Sequence, residues 1–182
     1  MEVTRFDDAG PFLTEAEPSL LADEARHNPM LGIAGNIRDG LYDHFRLWLV
    51  RGGGEVVGAA LLTPPNTLVL ARHRSPEALA ALADAVASEK LPGVIGSVPE
   101  ADDFAALWSL RTGAGIRTNM RQGVYALERV RPASEVSGSA RVAGANDRML
   151  AVRWWMAFAA EAHHDGALNL DRSEVMVDYR LS

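Results

Sequence analysis

Five histidines and no cysteine carry the proton and metal chemistry open to this chain of 182 residues. Without cysteine there is no disulfide framework, no thiol nucleophile and no cysteine zinc site. His27 stands apart from any other histidine, between Arg26 and Asn28. With an ordinary pKa of about 6.5 it could act as a general base, or it caps or packs the end of a helix. No partner for it is visible in the sequence, so the capping or packing role is the expectation, and the same holds for His44. His163-His164-Asp165, with Glu161 close by, has the composition of a metal cluster. Adjacent helical positions point about 100° apart, however, whereas chelating helices use i, i+4 pairs. A solvated helix end is expected there, and no metal site is assigned. Arg51-Gly52-Gly53-Gly54 lacks the Gly-Lys-Ser/Thr that would make it a phosphate loop and reads as a hairpin turn. Asp7-Asp8 and Asp102-Asp103 read as loop or helix-start carboxylates.

The elements that must hold these groups are organised around Phe45–Arg72. In Phe45–Val50, residues Phe45, Leu47 and Leu49 share one strand face and Arg46 and Trp48 the other. Glu55–Leu62 is nearly all apolar, as a strand buried on both faces would be. Thr63-Pro64-Pro65-Asn66 stops it, because proline lacks the N–H a ladder needs, and Thr67–Ala71 resumes as a third strand. The result is an antiparallel meander.

Glu2–Phe6 alternates as a short first strand. Pro11 to about Arg26 reads as helix broken in two by Pro18; His27-Asn28-Pro29 reads as a stop before a second stripe, Met30 to Ile37. After the meander, Ser75, Pro76 and Glu77 give an N-cap, a favourable first position and a dipole-complementing acid, followed by Leu79, Leu82, Ala83 and Val86 at helical spacing. Pro92–Val98 reads as a short strand, Glu100–Thr112 as a helix ended by Gly113, and Thr118–Val130 as a long strand centred on Val124 and Tyr125, with Tyr125 a core residue. Arg131–Gly138 has linker composition. A strongly apolar helix follows, Arg148 to about Ala162, with Trp154, Trp155 and Phe158 on its stripe. Such stripes are usually core, and a contact with another half or another molecule is the alternative. Asp171–Tyr179 reads as a further helix or an extended segment.

A net charge of −6 and a pI near 5.3 argue against a broad nucleic-acid surface. No apolar run approaches the ~18 residues of a membrane span, and the first residues carry neither a signal core nor an Arg-rich start. A cytoplasmic protein is expected.

The order strand, two helices, three-strand meander, helix, strand, helix, strand resembles the GNAT acyl-CoA N-acyltransferase topology over residues 1–130. HNPMLGIAGNI (27–37), EVVGAALLTPP (55–65), LPGVIGSVPEADDFAALW (91–108) and RQGVYAL (121–127) look like the N-terminal half of bacterial proteins built from two GNAT-like halves. SARVAGANDRMLAVRWWMAFAAEA (139–162) looks like the opening of the second half. The resemblance implies an α+β (mixed α/β) fold with a central mixed sheet, mostly antiparallel, flanked by helices. It implies a GNAT-like domain at 1–130, a linker at 131–138, and the helical opening of a second, incomplete half at 139–182.

It further implies acetyl transfer from acetyl-CoA, the co-substrate, to a small-molecule amine, with no metal. A backbone N–H at a bulge near Gly58, Ala59 and Ala60 would polarise the thioester carbonyl, His27 would be a candidate base, and Tyr125 would lie near the acid that protonates the departing thiolate. The family's coenzyme loop, Gln/Arg-x-x-Gly-x-Gly/Ala, corresponds to Arg72-His73-Arg74-Ser75-Pro76-Glu77. Only the leading arginine matches. Arg72, His73, Arg74 and Ser75 could attract an anion, but neither glycine is present, Pro76 removes a donor, and Glu77 brings a carboxylate to the place of phosphate charge. The chain ends at Ser182, before a second meander and its loop. The expectation is therefore an acetyltransferase-like chain without a complete acetyl-CoA loop. The alternative is a non-catalytic degenerate half serving folding, dimerisation or substrate binding, whose partner is the missing C-terminal half or a second copy.

Overall fold

The computed structural model describes residues 1–132, 137–162 and 170–181. They fall into two compact units, Met1–Glu128 and Arg129–Ser182. The first is a mixed α+β unit: β1 (Glu2–Phe6), α1 (Ala9–Leu21), α2 (Glu24–Arg38), β2 (Arg46–Gly52), β3 (Glu55–Leu62), β4 (Leu68–Leu70), α3 (Pro76–Ala85), β5 (Val94–Ile95) and α4 (Glu100–Thr112). The sheet runs β1-β2-β3-β4-β5. Its first three pairings are antiparallel, and β4 and β5 are parallel. Gly53 (φ 62°) and Gly54 (φ 86°) close the β2–β3 hairpin in two residues, the pair of positive φ angles that such a turn needs.

Strand alternation sorts the core into two layers. Leu47, Leu49, Ala59 and Leu61 face α1 and α2, where Phe12, Ala16, Met30 and Ala34 meet them. Trp48, Val50, Ala60 and Leu62 face the other way, against Leu79, Leu82 and Val86 of the α3 segment and Phe104 of α4. Phe104 stacks on Trp108, with centroids 5.8 Å apart, and Arg111 on the same helix pairs with Asp84 at 2.8 Å. α4 ends at Gly113 (φ 73°), the left-handed stop the sequence suggests.

Three expectations are corrected. Pro18 does not break α1, and Pro29 does not restart α2; each helix runs through its proline. Both prolines lie on exposed positions, so the carbonyl each one frees, of Thr14 or Ala25, is on a solvated face where water can satisfy it. The long strand expected over Thr118–Val130 is absent: residues 113–132 form no helix or strand and are exposed. Strand propensity needs an edge to pair with, and β5 is only two residues long, its ladder limited to Leu68↔Val94 and Val69↔Ile95. Tyr125, expected in a strand core, is 93% exposed.

In the second unit, a single 3-10 turn (Ala145–Asp147) leads into α5 (Arg148–Ala162), and α6 (Leu170–Leu181) follows. Arg141 holds Asp147 in a two-pronged pair at 2.7 and 2.8 Å, which keeps that carboxyl far below the usual range. Arg148 reaches Glu174 at 2.9 Å and Asp178 at 2.6 Å, tying α5 to α6. Val152 and Val177 are the buried apolar residues of this unit among those described. No described helix is long and apolar enough to cross a membrane.

Candidate functional site

The groups with chemical potential gather where β4 ends. One residue of β3, Val57, is unpaired against β2: the register passes from Val50↔Gly58 to Arg51↔Val56. The irregularity therefore lies directly before Gly58, at the start of the stretch near which the resemblance places a bulge. A bulge turns two successive residues to one side. Val57 accordingly packs against the α3 layer, the side that Gly58 takes by alternation with Ala59 and Ala60, while Val56 packs against the α1–α2 layer. Ala59 and Ala60 are in register with β2, and the Ala59 carbonyl accepts the Ala71 N–H at 2.9 Å.

Gly58 leaves bare backbone, and His73 fills the space. A methyl group at Gly58 would lie 2.6 Å from His73 Cδ2 and 2.9 Å from Nε2. The segment after β4 is held against β3, with Arg74 N–H donating to the Val57 carbonyl at 2.9 Å. His73 is 9% exposed, and neither ring nitrogen has a partner in hydrogen-bonding geometry. Burial lowers its pKa to about 4, opposed by the Ala71 carbonyl and the Glu100 carboxylate. At neutral pH the ring is uncharged.

His27 is fully engaged. Its Nε2 accepts the Arg72 backbone N–H at 3.1 Å, so its proton is on Nδ1 and goes to the Leu20 carbonyl at 2.9 Å. One neutral imidazole thus ties the α1–α2 connection to the strand end, the packing role the sequence favoured, and has no nitrogen left to act as a base. Glu100, at the start of α4, sits between two cations: Oε1 is 3.6 Å from Arg26 Nη1 and 3.9 Å from Arg72 Nε. Its Oε2 is buried without a partner. In the sequence Glu100 is marked only as the start of a helix and Arg26 only as the end of one. The pattern that could have flagged Glu100 is an acid directly after the Val98-Pro99 pair that closes the β5 connection.

The start of α3 is closed by the chain itself. Ser75 takes the extended cap conformation, and its hydroxyl accepts the Ala78 N–H at 3.3 Å. The Glu77 carboxyl is held below its ordinary pKa by its own backbone N–H and by the Ser75 hydroxyl. Pro76 has no N–H to offer. Arg74 pairs with Glu55 at 3.1 Å, and Arg72 leans to Glu100. Every member of the basic run therefore already has a role inside the fold. Ser75→Ala is expected to cost about 1 kcal/mol of stability, measured by urea unfolding, as loss of an N-cap does.

The structure thus brings together His27, Gly58, Arg72 and His73 and adds Arg26 and Glu100. It aligns Ala59 and Ala60 in regular ladders, turns Arg74 toward Glu55, and leaves Tyr125 on an exposed irregular stretch. No group of three or more metal-binding side chains is gathered among the described residues. His163, His164 and Asp165 lie outside the described residues. Comparison with protein-family models, curated proteins and solved structures finds no match.

Proposed function

We propose that the chain is a GNAT-like module that keeps the acyltransferase layout and has replaced the coenzyme loop with a structural clasp. On this reading it is a non-catalytic half, cytoplasmic, that serves folding, dimerisation or substrate binding. The observation that carries the reading is the start of α3, where Ser75 and Glu77 occupy the backbone donors that would otherwise meet a pyrophosphate. The layout that supports the family is the antiparallel meander followed by a helix and a parallel fifth strand.

Titration calorimetry with acetyl-CoA tests it. No heat of binding is expected with millimolar ligand. Micromolar binding would overturn the reading and favour acetyl transfer to a small-molecule amine.

A further inference from the structure

The second unit carries an aromatic face that its own helix pair does not use. Val152 and Met156 lie on the side of α5 that meets α6, where Ser173 donates to the Met156 sulfur at 3.3 Å. At about 100° per residue, the opposite side is centred on Leu150, Trp154, Ala157 and Glu161, a heptad-type seam flanked by Arg153 and Phe158. Trp154 is 67% exposed and Phe158 64%. Among the described residues, the fully buried apolar contact in this unit comes down to Val152 and Val177.

We infer that this face binds the same face of a second copy of the chain, with the two α5 helices antiparallel about a two-fold axis. The inference rests on the assembly role in the reading above, and a monomeric chain would remove it without restoring a coenzyme site. Two properties of the helix select a second copy. The seam is self-complementary in size: a two-fold axis between Trp154 and Ala157 sets each indole over Ala157 of the partner subunit, a large residue into a small one. It is also complementary in charge. Among the described residues neither Arg153 nor Glu161 has an ion-pair or hydrogen-bond partner, and the same axis brings Arg153 within about one turn of Glu161 of the partner subunit.

Sedimentation equilibrium of the intact chain, in a series reaching about 0.5 mM, tests this. The expected mass at the upper end is twice 19.6 kDa. Trp154→Glu is expected to weaken the dimer by about 100-fold. Should that variant fail to fold, the charge pair decides: Arg153→Glu weakens the dimer by about tenfold, and Arg153→Glu with Glu161→Arg restores it to within about threefold of the parent. A chain that stays monomeric throughout the series overturns the inference, whether its α5 tryptophans fluoresce as buried or as solvated. So does a dimer that both single variants leave unchanged, or one that the charge exchange fails to restore. Recruitment to lipid vesicles by a monomeric chain would assign the face to a membrane surface instead.

Discussion

Replacing Gly58 by valine is expected to destabilise the first unit by about 3 kcal/mol, because the new side chain must occupy the volume of the His73 imidazole. The clash starts at the first carbon, 2.6 Å from Cδ2. The ring cannot swing clear at low cost. It is buried, and backbone hydrogen bonds at Ala71 and Arg74 fix the segment that carries it. The diagnostic measurement is a double-mutant cycle by urea denaturation. Gly58→Val combined with His73→Ala should be more stable than the sum of the two single losses by at least about 1 kcal/mol. Strict additivity would mean that the glycine serves the backbone of the bulge and not the ring above it.

The second large effect is acid sensitivity, and it has a definite sign. The folded-state pKa of His73 is about 4, below the unfolded value of about 6.5. Between these values the unfolded chain takes up a proton that the folded chain refuses. Stability is therefore intact above pH ~6.5 and falls as the pH drops toward ~4, by about 3 kcal/mol in all. Carboxylates that titrate in the same range add their own slopes, so the comparison is with His73→Leu, whose position 73 binds no proton in either state. The difference between the two unfolding free energies should follow this course between pH 7 and 4. A difference that does not change with pH would place the imidazole in contact with water.

Much of this arrangement is legible in the chain. Ser75-Pro76-Glu77 announces the start of α3, and Pro76 and Glu77 announce a poor phosphate site, since a ring nitrogen without hydrogen offers no donor and a carboxylate repels a phosphate. The two faces of the meander follow from alternation, and Leu47 and Trp48 lie on opposite sides as read. Other features depend on partners distant in sequence. Nothing near His27 shows that both its nitrogens are spent, because the donor is the backbone of Arg72, 45 residues away. Gly58 inside an apolar strand hints at a close approach, but not at which group approaches. Thr118–Val130 fails as a strand for the converse reason: its residues suit a ladder, but β5, the sheet edge nearest to it in sequence, is only two residues long. Pro18 and Pro29 show a third limit, since whether a proline breaks a helix depends on which side of it faces water.

The seating of His73 over Gly58 also constrains how this surface could change. A route, natural or engineered, toward a phosphate-holding loop would begin by placing glycines at Ser75 and Glu77. That first step strips the cap from α3 and yet leaves an imidazole wedged beside the opened helix end. Clearing the ring next uncovers bare strand at Gly58 and leaves Glu100 between two arginines with nothing to exchange it for. Each of these substitutions removes a contact that its neighbours still use, so their effects are expected to depend on the order in which they are made.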